Sequence, residues 1–229
     1  MGIYKTELHC HTKESSACAK IEARKIIEWY AKEGYHTIVI TDHCSKRKMD
    51  KLGNLSWKEK IDYVLTGYRQ AKQVAQAYGI TVLLGCEITH QETDSDFLAL
   101  GIEESFLYDH EEIYNASLAD LHRWCEQAGS LLVQAHPFRD EIQLAPLEDI
   151  DGIEVFNGCY NEVSRNEKAM AYGNKTNKIL SSGSDFHAKE DLARGGIITK
   201  EPIQTNKQLV QVLESKAFQR IVEGKYGEI

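Results

Sequence analysis

Residues 3–12, IYKTELHCHT, run from a short strand directly into polar chemistry. Alternate residues along a strand share a face, so His9 and His11 leave it with both imidazoles on one side, a geometry suited to two adjacent positions on one ion. Cys10 is one residue out of phase and is expected to point into the wall as a small apolar residue. A lone H-x-H is more often a surface or core pair, and its weight here comes from the strand ends that follow it.

Seven apolar runs alternate with helical patterns: residues 3–9, 37–41, 81–86, 97–102, 130–135, 152–156 and 178–182. This order predicts an α/β fold of parallel strands joined by crossover helices, closed into a β/α barrel. Ala23, Ile26, Ile27, Tyr30 and Ala31 mark the first helix before Gly34. A longer stripe runs from Trp57 to Tyr78 and stops at Gly79. Ser117 caps a helix closed by Gly129, and a last helix begins near Asn206. The basic stretch 44–56, CSKRKMDKLGNLS, has turn formers and little periodicity, and is read as a loop after the second strand that shapes the substrate mouth or is simply solvated.

The chain of 229 residues is 42% hydrophobic and carries 35 acidic against 27 basic residues, for a net charge of -8. That is enough apolar content for one barrel over residues 1–229, and the acidic balance disfavours a polymeric nucleic acid and favours a small substrate. Six cysteines without a C-x-x-C pair, no leader pattern and no apolar run of membrane length point to a soluble, cytoplasmic protein. Oligomeric state is left open.

Metal-binding residue types gather at the strand ends: His9 and His11, Asp42 and His43, Glu87, His136, then Asp185 and His187. In a parallel barrel the loops after the strands meet at one face, so these groups can converge. Glu87 follows the apolar run VLLGC and should emerge at the mouth, where a carboxylate can bridge two cations. Pro137 ends the strand before it and presents His136, while Gly183 and its neighbouring serines permit a tight turn that aims Asp185 and His187 inward.

These motifs, LHCHT, TDH, GCE, AHP and GSDFH in order across positions 8 to 187, resemble the PHP family, named for polymerase and histidinol phosphatase. The resemblance implies a distorted seven-stranded β/α (TIM-like) barrel, a centre of two or three divalent metal ions (zinc, manganese or iron), and hydrolysis of phosphate esters by a metal-activated hydroxide. It makes His9, His11, Glu87 and Asp185 ligands of one metal, with Glu87 shared with a second that His136 also binds. His43 and His187 would hold a third, or one of them would protonate the leaving oxygen. Asp42 would orient a histidine or ligate occasionally.

Two positions depart from the family pattern. Ala17 stands near the place of an expected ligand, with Glu14, Cys18 or water as substitutes, and the fourth strand offers Asp96 in place of a histidine. Arg139 and Arg194 are the candidates for gripping nonbridging phosphate oxygens, with structural salt bridges as the alternative. An amidohydrolase-like metallohydrolase and a noncatalytic metal-binding regulatory domain are the competing functions. Glu87 where the former often has a modified lysine, and the histidine two residues after Asp185, weigh against the first; only Ala17 supports the second.

Overall fold

The computed structural model describes residues 2–226. Within them lie the strands β1 (Tyr4–Cys10), β2 (Tyr35–Ile40), β3 (His43–Cys44), β4 (Thr81–His90), β5 (Ser95–Leu100), β6 (Leu131–Gln134), β7 (Gly152–Asn157), β8 (Ile179–Gly183), β9 (Ile197–Thr199) and β10 (Gln219–Arg220). The helices are α1 (Ala23–Lys32), α2 (Lys46–Lys51), α3 (Trp57–Val64), α4 (Thr66–Ala75), α5 (Glu104–Asp109), α6 (Leu118–Ala128), α7 (Asn166–Gly173) and α8 (Asn206–Ser215).

Nine strands pair in the order β10-β9-β1-β2-β4-β5-β6-β7-β8, and β3 branches from β4. The path nearly closes into a barrel. β9 runs antiparallel beside the first half of β1, from Tyr4 to Thr6, and leaves its second half for the segment after β8. There the His11 amide donates to the Phe186 carbonyl (3.1 Å) and the Phe186 amide to that of His9 (3.2 Å).

All seven expected strands are present, but the count of seven is too low. β3, β9 and β10 have three residues or fewer, too short to leave a periodic pattern. The expected parallel order also fails at β5, which is antiparallel to both β4 and β6. Its first residues therefore lie at the barrel end where the parallel strands finish.

The stretch read as a loop contains α2. The Ser45 hydroxyl accepts from the Lys48 amide (3.3 Å), and only Met49 is buried, so one turn and a half gave no stripe to read. The single long helix is two, broken at Leu65, where the Thr66 hydroxyl bonds back to the Asp62 carbonyl (3.1 Å). Gly79, at φ 67°, ends the 3-10 turn Gln76–Tyr78 that continues the second, and Gly129, at φ 68°, ends α6.

One apolar cluster packs α1, α3, α4 and α6 against the sheet, burying Ile26, Tyr30, Ile61, Leu65, Ala71 and Leu121 with Ile38 and Leu84. A second joins Leu209 and Leu213 of α8 to Leu8, Val39, Leu83, Leu98 and Val133. Leu83 and Glu87 share a face of β4, so the apolar floor gives way along one strand to the polar mouth.

Candidate metal centre

Local structure brings the strand ends, Asp42 excepted, together around one cavity. β3 pairs with β4 so that His43 lies beside Glu87. His136 has φ 28° and Asp185 φ 49°, left-handed conformations that turn the chain out of β6 and β8. Such strain outside glycine persists only where the surroundings hold it, and it clusters at functional sites. The expected role of Gly183 is refined: its φ is not positive, and what the position requires is room, since a Cβ there would lie 2.5 Å from the His9 Cβ and 2.6 Å from Glu154 Oε1.

Glu87 is the hub. Its Oε1 lies 3.3 Å from His9 Nε2 and 3.0 Å from His136 Nε2, and its Oε2 lies 3.3 Å from His11 Nε2 and 2.8 Å from His43 Nδ1. Asp185 Oδ1 is within 3.3 Å of His9 Nε2 and His187 Nδ1 and 3.1 Å from His11 Nε2. His9, His11, Glu87, His136 and Asp185 are buried, while His43 and His187 stand at the rim with side chains 26% and 19% exposed. The cavity holds about 250 Å³ and is also lined by Lys20, Asp96, Arg139 and Cys159.

Burial alone would neutralise these carboxylates, yet their imidazole neighbours reverse it. Despite burial, His43 and His9 hold Glu87 well below the usual carboxylate range, and His9, His11, His187 and Arg139 do the same for Asp185. Conversely, against the effect of burial, Glu87 lifts His43 to about 10 and Asp185 lifts His187 to about 12. Burial and the nearby His43 and His187 push His11 well below its ordinary value.

The donor set fits divalent cations. His9, His11 and Asp185 offer ligand atoms within 4.8 Å of one another, as do His43, Glu87 and Asp96, and His11, His43 and His187. His9 Nε2 and Glu87 Oε2 are buried without a hydrogen bond, although Glu87 Oε1 lies 3.3 Å from the first and His43 Nδ1 2.8 Å from the second. Imidazole with carboxylate suits zinc, manganese or iron alike.

Asp42 does not join this group. Its carboxylate accepts from the Thr12 amide (2.8 Å), the Thr12 hydroxyl (2.6 Å) and the Ser16 hydroxyl (2.6 Å). Ser16 in turn accepts from the His43 amide (3.2 Å), so Asp42 acts on a histidine only through the loop it holds. Arg139 donates to Asp185 Oδ2 (2.6 Å) and Asn157 Oδ1 (2.8 Å), the salt-bridge alternative, while still lining the cavity. Arg194 is not among the lining residues and stacks on Tyr160 at 5.7 Å. Of the substitutes for Ala17, Glu14 is spent on the Ala23 amide at the start of α1 (3.0 Å). Cys18 reaches the centre: hydrogen bonds with His187 and His43 outweigh burial and draw its thiol down to about 6.

Glu154 was missed. Its Oε1 meets His9 Nδ1 (2.9 Å) and its Oε2 accepts from the His136 amide (2.9 Å) and from Asn157 (2.8 Å). The available signal was an acid inside the otherwise apolar GIEVF of β7, a position that demands a buried partner. Glu7 gave the same signal in β1. It accepts from the His9 and Ser184 amides and the Tyr30 hydroxyl, and burial pushes it up to about 7.

With this geometry in hand, the comparisons define the class. The PHP domain model matches residues 7–214, and the chain belongs to that family. No curated protein sequence matches it. Among solved structures, a two-domain Bacteroides vulgatus protein containing a predicted PHP-like metal-dependent phosphoesterase aligns at TM-score 0.72 and 18% identity over 98% of this chain; the chain spans 66% of that protein's length. A Bifidobacterium adolescentis protein, its assignment as a metal-dependent phosphoesterase again a prediction, aligns at TM-score 0.53 and 17% identity over 91% of this chain and 95% of its own. A Chromobacterium violaceum amidohydrolase with bound sulfate and no metal aligns at TM-score 0.59 and 18% identity over 95% of this chain and 98% of its own. At these identities the likeness is one of fold.

Proposed function

We propose that the chain hydrolyses a small phosphate ester at a di- or trinuclear metal centre held by His9, His11, Glu87, His136 and Asp185, with His43 and His187 completing it. The observation that carries this is the four imidazoles within 3.3 Å of the two oxygens of Glu87, a donor set that would hold divalent cations. Bound cations supply Lewis acidity toward the phosphate and lower the pKa of water.

The chain's own groups do the rest. Glu154 orients His9, and Arg139 pins Asp185. Lys20 and Arg139 are the cations that line the cavity and offset the charge of a phosphate there. His187 stands at the rim, where a leaving group meets solvent, and protonates the leaving oxygen when it is not a ligand.

The test is a panel of phosphomonoesters, phosphodiesters, amides and lactones assayed on protein reconstituted with zinc, manganese or iron. Phosphate esters are turned over and Glu87→Gln lowers kcat by at least about a thousandfold, on the scale of losing a whole catalytic unit. Turnover confined to amides or lactones would establish the amidohydrolase alternative. Full metal content with no turnover of any ester would establish a noncatalytic domain.

A further inference from the structure

A second groove adjoins the metal cavity. It holds about 680 Å³ and is lined by Lys46, Arg47, Lys48 and Lys51 on α2. Cys18, His43 and Asp96 line both spaces, so one molecule can occupy the two together. In a chain of net charge -8, four cations on six residues are a local reversal of sign.

Their partners show how much of that charge is available. Lys46 pairs with Asp50 (2.7 Å) and is neutralised locally. The half-buried Lys48 ammonium donates to the His43 carbonyl (2.7 Å), lies 5.6 Å from the Tyr63 ring and interacts with the buried Asp42 carboxylate, so its charge is partly taken up. Among the described residues, Arg47 and Lys51 have no carboxylate within ion-pair distance. The opposing acids are Asp94, Asp96 and the Cys18 thiol, drawn down to about 6, against four cations; Asp96 is turned to the Thr89 hydroxyl (2.6 Å) and grouped with His43 and Glu87. The groove keeps a net positive charge.

We propose that this groove is a second anion subsite, and that the substrate is a small ester whose leaving group carries another phosphate or a carboxylate. The proposal rests on the phosphoesterase reading for the bond that is cut. Lys48, Arg47 and Lys51 hold the distal anion while the scissile phosphate lies in the metal cavity. Guanidinium and ammonium groups facing a partly enclosed groove recognise such an anion and lose that advantage as salt rises.

Two arms test it on the full chain. In the first, a neutral-tailed phosphomonoester is compared with matched esters bearing a carboxylate or a second phosphate on the leaving group. The anionic tail raises kcat/KM by about tenfold or more at low salt, and the Arg47→Ala, Lys51→Ala double variant removes the gain through KM while leaving the neutral-tailed ester unchanged. The preferred tail tells phosphate from carboxylate. In the second, calorimetry follows binding of alkylphosphonates with and without a terminal carboxylate or phosphonate, on chains of graded length. Tighter binding of the doubly anionic probes that the double variant loses supports the groove even if no ester is cleaved, an outcome that would overturn the phosphoesterase reading alone. A tail preference that is absent, or that survives the double variant in both arms, would overturn the groove. So would a single-stranded oligonucleotide that outcompetes every small probe.

Discussion

His9 is held from both ring nitrogens. Nδ1 meets Glu154 Oε1 at 2.9 Å and Nε2 faces Glu87 and Asp185 at 3.3 Å. A carboxylate behind a ligating imidazole fixes its tautomer and raises its basicity. In Glu154→Gln, the amide oxygen stays on the His136 and Asn157 donors and the amide nitrogen turns to His9 Nδ1. His9 Nδ1 must then accept, the proton favours Nε2, and His9 becomes a poorer ligand. Metal affinity falls by roughly 10–100-fold with the fold intact, a change that competition with a fluorescent chelator measures; unchanged affinity would show that Glu154 is only a buried strut. The hub and its imidazoles were legible because each ends a strand. Glu154 was not, because its partner is distant in sequence, and for Arg194 adjacency to the last motif carries no information about where a long side chain lies.

At the scale of elements, β5 and α2 are what the pattern concealed. β5 was seen as a strand, but nothing in alternating hydrophobicity gives direction, so its polar start rather than its end was the part to read. The antiparallel run brings Asp96 to the site, from the strand around which the family pattern leads one to expect a histidine. β8 makes the opposite case: the sequence pattern points to its glycine for turning, and the position matters for space. Gly183→Ala drives a methyl group into His9 and Glu154. Overpacking of this kind costs about 1–3 kcal/mol. Because the displaced groups are site groups, metal affinity falls with thermal stability; a variant that binds metal like the parent would show that β8 yields without moving His9.

Across the whole molecule, buried acids at one barrel mouth are balanced by protonated imidazoles. Among the described residues no helix is long and apolar enough to cross a membrane. His43 at about 10 and His187 at about 12 hold protons at neutral pH while no cation is bound. Ligand imidazoles must be neutral, so binding expels protons, and affinity strengthens as pH rises and weakens as it falls. The most direct measurement is a calorimetric titration of metal-free protein with zinc or manganese, repeated in buffers of different ionisation enthalpy and with Glu87→Gln. Two or more ions bind per chain, with protons released and tighter binding at higher pH, and Glu87→Gln abolishes at least one of these sites. A single weak site, without proton release and indifferent to Glu87→Gln, would contradict the metal centre.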